Sequence, residues 1–377
     1  MNKPYKAIPS RGGFFIERIR DEHPSNPENS LLLQPNINKK KDIFHIHISQ
    51  HNKHMKNIAI VYGGYSSEEV VSRKSVEGLL TFIDTARYNL YPVLITKTEW
   101  SAVLEGTHYP IDKNDFSFVR DGQKVTFDLA YITIHGTPGE NGLLQGYFNL
   151  IGLPHSTCDV LTAAITFNKF TCNTYLKGFG VTVADSVMLR KGNSYDKFEI
   201  AEKTGLPCFV KPNAGGSSFG VSKVTTASDL DAAIQKAFTE GDEVIIEQYI
   251  KGTELTCGLY KTGGKHHVLP ITEVVSKNDF FDYEAKYTAN MADEITPARI
   301  PEEVADRIRT IVAIIYDILG CKGIVRIDFI LSEGRIFLLE VNTTPGMTAT
   351  SFIPQQIRAA GLDIKQVFTE VIEECML

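Results

Sequence analysis

The chain has 377 residues, 43% of them hydrophobic and 22% charged. That length suits two or three domains, and that composition a packed globular core. A net charge of −6 argues against a general nucleic-acid binder, which usually carries a basic excess.

No stretch approaches the ~18 apolar residues of a membrane span, and the first twenty residues lack the apolar centre of a signal peptide. Cys158, Cys172, Cys208, Cys257, Cys321 and Cys375 fall at no zinc-like or redox-like spacing. They are expected as buried, reduced thiols of a cytoplasmic protein. Residues 1–54 differ from the rest: they are rich in Asn, Lys, Pro and His and carry the run Lys39-Lys40-Lys41. A metal-binding tail would use His23, His45, His47, His51 and His54. The plainer expectation is a poorly ordered extension, or an upstream start codon taken in place of Met55.

Patterned sequence begins at Met55. Asn57 to Tyr62 is a short apolar run ending at Gly63-Gly64. A helical pattern starts near Ser66, with Ser66 or Ser67 as cap and Glu68 and Glu69 in the first turn. Strand, glycine turn and helix open an α/β unit. Asp128 to Ile134 reads as a second buried strand running into the loop His135 to Gly142. Leu161 to Lys177 is helix-rich. Cys208 to Lys211 and Gly220 to Val224 read as a hairpin around a Gly/Ser loop. Asp229 to Phe238 reads as helix, Val244 to Tyr249 as strand, and Asp363 to Cys375 as the last helix.

The loop from Lys211 to Gly220 has the composition of an anion cradle. Glycines let backbone N–H groups converge, and a lysine adds charge. It has neither the Walker A nor the Rossmann spacing, and strand rather than helix follows it, so it reads as a flap over phosphates. Near the C-terminus, strand alternation places Arg326 and Asp328 on one face with Ile324 and Ile330. Val325, Ile327, Phe329 and Leu331 take the other. In the next strand Glu340 and Asn342 share a face, opposed by Phe337, Leu339 and Val341. A surface sheet also has a polar face, but two acids, an amide and an arginine among isoleucines suit Mg²⁺ and phosphate better. For Asp328 to face Glu340 the connection must hold an odd number of residues. A three-residue turn, Glu333-Gly334-Arg335, is therefore expected, with a left-handed residue at or beside Gly334. Pairing of Leu331 with Ile336 would turn Asp328 away from Glu340, and the metal-site reading of the hairpin would then fail. The turn from Asn342 to Thr348 then supplies amides and hydroxyls beside the metal. Phe281 to Tyr287, rich in aromatic and charged groups, reads as a lid.

Six segments, GGYSSEEVVS, HGTPGENGLLQG, KPNAGGSSFGVSKV, FDYEAKY, GIVRIDFI and LLEVNTTPGMTATS, lie in the order found in one family. On them the chain, from about Met55 onward, resembles the D-alanine–D-alanine ligases of the ATP-grasp superfamily. The resemblance implies an α/β (α+β ATP-grasp) fold, with a Rossmann-like parallel-sheet N-terminal domain and a two-part ATP-grasp module. The expected divisions are 55–155, 156–246 and 247–377, after the extension 1–54. It implies that ATP phosphorylates the carboxylate of one D-alanine and that the amine of a second attacks the acyl phosphate, toward peptidoglycan precursors.

By the same resemblance, Glu68 orients the first D-alanine, with Glu69 as substitute, and Ser217 and Tyr287 complete a lid-closing triad. His135 lies near the first substrate. Lys169 and Lys211 hold ATP phosphates, and Lys286 holds the transferred phosphoryl group. Glu247 and Ile250 meet adenine, and Glu254 the ribose. Arg326 and the Gly346 amide stabilise the oxyanion, while Ser351, beside Phe352, takes the second carboxylate. Asp328, Glu340 and Asn342 hold two Mg²⁺, with Mn²⁺ as a possible substitute. A homodimer is also implied. Val70 stands where the family often has a second acid, and Phe352 where leucine is common. The rival product is D-alanyl-D-lactate, and Tyr287 favours the dipeptide.

Overall fold

The structure, a computed structural model, describes residues 55–216, 219–276 and 292–377, all within the compact unit Lys53–Leu377. The extension 1–54, Ser217 of the flap, and the lid segment with Lys286 and Tyr287 lie outside the described residues.

Three sheets carry the molecule. In the first, Lys56–Gly63 pairs in parallel with Tyr88–Ile95 on one side and Leu129–Ile132 on the other. Ile58, Ala59, Ile60 and Val61 are fully buried, as expected of a strand covered on both faces. Two further strands, Trp100–Leu104 and Thr107–Pro110, extend the outer edge antiparallel, so the sheet is mixed.

The helix Glu69–Phe82 crosses one face of this sheet, burying Val71, Ser72, Ser75, Val76, Gly78, Leu79 and Phe82. Neither serine expected to cap it makes an N-cap bond; the helix begins at Glu69 with Glu68 in the cap position. The Ser66 hydroxyl instead donates to the His135 carbonyl (3.3 Å) and accepts from the Glu68 N–H (3.3 Å). It ties the first glycine turn to the loop after Leu129–Ile132.

The second sheet has four strands. Cys208–Pro212 lies between Ser222–Val224 and Glu243–Gln248, which in turn pairs with Ser186–Arg190. The expected flap hairpin is therefore present. The third sheet is built on Thr253–Thr262, Val325–Ser332 and Arg335–Asn342. Its far face is covered by the amphipathic helix Glu302–Ile318, which buries Ala305, Ile308, Val312, Ile315 and Tyr316.

The strand Lys56–Gly63, the helix Glu69–Phe82 and the last helix share a core. Val367, Phe368, Val371 and Ile372 of the last helix, Ile364–Cys375, pack with Ile58, Ile60, Leu79 and Phe82. The last helix is capped by Asp363, which accepts from the Lys365 N–H at 2.8 Å. All six cysteines are free; five are buried, while Cys321 is half-buried. No helix among the described residues is long and apolar enough to cross a membrane.

The acidic hairpin differs from expectation in one instructive way. Ser332 pairs with Arg335 and Leu331 with Ile336, so the turn has two residues, not three. Glu333 and Gly334 both have positive φ, 49° and 75°, the signature of a tight type I′ turn. By parity alone Asp328 would then miss Glu340. A β-bulge between Asp328 and Phe329 corrects this: Phe329 pairs with Leu338, and Asp328 with Glu340. Leu339 is the additional residue. The bulge also reassigns faces. Ile336, Leu338 and Val341 enter the core under the sheet, while Phe337 pairs with Ile330 and lines the opposite, cleft side. Phe337 was expected on the core side with Val341.

Candidate active site

A cleft of about 1390 Å³ opens between the three sheets. Its floor is the face of Val325–Ser332 that carries Arg326 and Asp328. The Arg326 guanidinium grips Asp328 with both arms, Nε to Oδ1 at 2.9 Å and a terminal nitrogen to Oδ2 at 2.8 Å. Thr256, directly across on the neighbouring strand, donates to Asp328 Oδ1 at 2.6 Å. The Asn342 amide donates to Oδ2 at 3.0 Å. Glu340, opposite Asp328, lies 4.0 Å from Arg326 and 3.4 Å from the Lys169 ammonium. Phe352 stacks against Arg326, its ring centre 5.5 Å from the guanidinium carbon. Two acids and an amide on adjacent strands give hard oxygen donors in the number Mg²⁺ takes when substrate phosphates complete its shell. Among the described residues no group of three or more His, Cys, Asp or Glu is placed to hold a metal, so an ion here would rest on Asp328, Glu340 and the Asn342 oxygen with its substrate.

The second sheet brings the basic groups. Lys211 reaches Glu247 at 2.5 Å, and Asn173 donates to the other Glu247 oxygen at 3.2 Å. Lys169 follows the helix cap Asn168 and donates to the Gly215 carbonyl of the flap at 2.5 Å. Burial alone would favour its neutral amine, but the charges of Glu340, Glu68 and Glu140 outweigh this and raise its pKa. Ile250 and Glu254 line the same end of the cleft, Glu254 sitting between Ile330 and Val274 in the third sheet.

The first sheet supplies the remaining wall. Glu68 is buried there, its carboxylate between two glycine loops. A β-carbon on Gly136 would sit 2.9 Å from its Oε2, and one on Gly216 2.7 Å from its Oε1. Glycine at both positions leaves the room this carboxylate occupies. Glu69, by contrast, is half-buried and pairs with Arg73 at 2.6 Å away from the cleft lining, so the structure brings Glu68 and not Glu69 to the cleft. His135 is buried, and burial together with the nearby positive charge of Arg326 pushes its pKa down to about 4. It is neutral at pH 7. On the far side, Ser351 heads the helix Phe352–Ala359, and its hydroxyl accepts from the Thr348 N–H at 3.0 Å. A β-carbon on Gly346 would lie 3.1 Å from that hydroxyl.

Two family models match almost the whole patterned sequence: "D-ala D-ala ligase N-terminus" over residues 57–158 and "D-ala D-ala ligase C-terminus" over 175–373. A D-alanine–D-alanine ligase of Phocaeicola vulgatus is 63% identical over 320 residues, spanning 84% of this chain and 98% of its own length. The chain belongs to the D-alanine–D-alanine ligase family. Solved structures agree with this membership. The VanG D-Ala:D-Ser ligase of Enterococcus faecalis superimposes with a TM-score of 0.75 at 32% identity, over 85% of this chain and 99% of that one. The D-alanyl-alanine synthetase A of Vibrio cholerae gives 0.77 at 28% identity, over 85% and 98%.

Every described residue named from the ligase resemblance, apart from Glu69, thus lines one cleft: Glu68, His135, Lys169, Lys211, Glu247, Ile250, Glu254, Arg326, Asp328, Glu340, Asn342, Gly346, Ser351 and Phe352. Sequence reasoning missed Thr256, whose hydroxyl seats Asp328, because nothing in its strand pattern marks it. It also missed Glu140, although the segment HGTPGENG contains it. Glu140 lines the cleft and accepts from the Gly136 N–H at 2.6 Å. Burial, and then the charge of Glu68, raise its pKa to about 8.

This shift has a consequence for stability. Between its ordinary value of 4.5 and about 8, folded Glu140 holds a proton that the unfolded chain releases. Its contribution to stability therefore falls as pH rises through that window. Glu140→Gln is expected to melt higher than wild type near pH 8.5, on the order of a few °C. The difference should shrink near pH 5.5. Melting curves of the ligand-free protein at both values check this; a pH-independent difference would remove the assignment.

Proposed function

We propose that this cleft joins two D-alanine molecules with ATP, through a D-alanyl phosphate, to give D-alanyl-D-alanine, ADP and phosphate. The observation that carries the reading is Lys169. One ammonium touches both the Gly215 carbonyl of the flap and Glu340 of the acidic hairpin. Phosphate cradle and metal face therefore meet at one point, where a γ-phosphate would lie.

In this reading Lys169 and Lys211 neutralise phosphate oxygens, and the nucleotide is held by Glu247 of the second sheet, Ile250 just beyond it and Glu254 of the third. Asp328, Glu340 and Asn342 would hold Mg²⁺, which when bound supplies charge neutralisation for phosphoryl transfer. Glu68 orients the ammonium of the first D-alanine, with neutral His135 beside it. The carboxylate of that D-alanine attacks the γ-phosphorus and ADP leaves. The amine of the second D-alanine, its carboxylate held at Ser351 beside Phe352, attacks the acyl carbon. Arg326 and the Gly346 amide receive the charge that develops on the acyl oxygen. Phosphate then departs, and the amine proton is lost as the amide forms. Ser217 and Tyr287 are assigned to lid closure, which keeps water from the acyl phosphate, and Lys286 to the transferred phosphoryl group.

We assign 55–155, 156–246 and 247–377 to the three working parts, each close to one sheet, and place the reaction in the cytoplasm with its ATP supply. A homodimer is proposed through the exposed apolar residues Leu143, Leu150, Val160 and Leu161 of two adjacent helices. Light scattering should give twice the chain mass.

Glu68→Gln should raise the KM of the first D-alanine roughly 10–100-fold, the worth of a hydrogen bond to a charged group. Its ATP KM should hold. Initial rates over both substrates check this, and an unchanged D-alanine KM would exclude Glu68 from the substrate site.

Product analysis tests the function as a whole. With ATP, Mg²⁺, D-alanine, D-serine and D-lactate supplied together near neutral pH, D-alanyl-D-alanine should dominate. Dominant D-alanyl-D-serine or D-alanyl-D-lactate would contradict the reading.

A further inference from the structure

We infer that Ser75 is a positioning residue that clasps the turn carrying Gly346 to the first helix, acting through His135 and Met347. The inference rests on the proposed role of that turn in receiving the acyl oxygen.

Ser75 is fully buried in the middle of a helix, a position where serine gains nothing from propensity and loses its contact with water. Its hydroxyl is instead used twice. It accepts the Met347 N–H at 3.2 Å and lies 3.2 Å from His135 Nε2. A neutral imidazole has one N–H and one acceptor. Nε2 therefore accepts from the Ser75 hydroxyl in one tautomer and donates to it in the other. One serine thereby holds the turn at Met347 and is itself held by His135.

The helix grips Met347 from a second side. Three residues on from Ser75, a β-carbon on Gly78 would fall only 1.9 Å from the Met347 carbonyl oxygen. Backbone meets backbone there, and only glycine allows it. The peptide groups before and after Met347 are thus both fixed by the helix, and Gly346 is the residue immediately upstream. A displacement of about 1 Å in such a donor can cost 10²-fold in rate.

The test is steady-state kinetics on full-length Ser75→Ala, His135→Ala and the double variant. Ser75→Ala is expected to lower kcat roughly 10–100-fold while the ATP KM stays within about twofold. The double variant should match the slower single variant, because the two side chains act as one clasp. An unchanged kcat in Ser75→Ala, or losses that multiply in the double variant, would overturn the inference. A simple loss of packing would instead lower the folded fraction and leave kcat per folded molecule intact, which also overturns it. Should Ser75→Ala not fold, Ser75→Cys, which keeps a weak donor and acceptor, is read by the same ratio and the same two outcomes. Wild-type enzyme runs alongside: no dipeptide from wild type counts against the ligase reading, whereas normal wild type with unaffected Ser75→Ala counts against the clasp alone.

Discussion

Arg326→Ala should turn over roughly 10²–10³-fold more slowly than wild type, with ATP affinity nearly unchanged. The magnitude is that of losing one preformed donor to a developing oxyanion. The structure explains why this arginine is preformed: Asp328 holds it at two nitrogens, and Phe352 covers its face. Its orientation therefore requires no rearrangement as charge appears on the substrate. Lysine should not rescue it, because a point charge cannot occupy both arms of the Asp328 fork. Single-turnover rates with ATP and D-alanine saturating, set beside ATP binding by calorimetry, make the comparison. Equal rates for wild type and variant would remove Arg326 from the site.

Asp328→Asn should have the second large effect, a loss of about 10³-fold in kcat/KM for ATP. Two contributions combine. The guanidinium of Arg326 loses its ionised partner, and breaking such a buried pair costs about 3–5 kcal/mol. The proposed metal face also loses one of its two negative charges, so half-maximal activation should require more Mg²⁺. A Mg²⁺ titration of the variant reads the second contribution separately. An activation curve superimposable on wild type would show that Asp328 does not hold the metal.

These expectations depend on Asp328 and Glu340 facing the same cleft, and the sequence conveyed that only in part. Strand alternation put Arg326 with Asp328, and Glu340 with Asn342, on common faces, and both pairs do line the cleft. The connection between them was misjudged. Glu333 adopts a positive φ, which its side chain does not advertise, and the turn closes in two residues instead of three. The compensating bulge was invisible because Leu338 and Leu339 are the same residue type. An apolar–apolar step carries no mark of which leucine enters the core and which faces the cleft.

Local patterns served well where local forces decide. The apolar run before Gly63-Gly64, the flap hairpin and the last helix from about Asp363 were all legible. The site's long-range contacts were not. Ser75 reads as an ordinary polar helix residue until Met347, 272 positions away, is brought against it. Glu140 is an unremarkable loop acid until Glu68 arrives beside it. Most of the site roles came from the resemblance to a family rather than from spacing.

The central claim is that ATP activates a D-alanine carboxylate as an acyl phosphate. It is tested most directly by following oxygen. With D-alanine labelled with ¹⁸O in the carboxylate, the bond made to phosphorus carries one label away when phosphate leaves. Mass spectrometry of the released phosphate should find one ¹⁸O for each dipeptide formed, with ADP as the nucleotide product. Unlabelled phosphate, or AMP with pyrophosphate, would contradict the account.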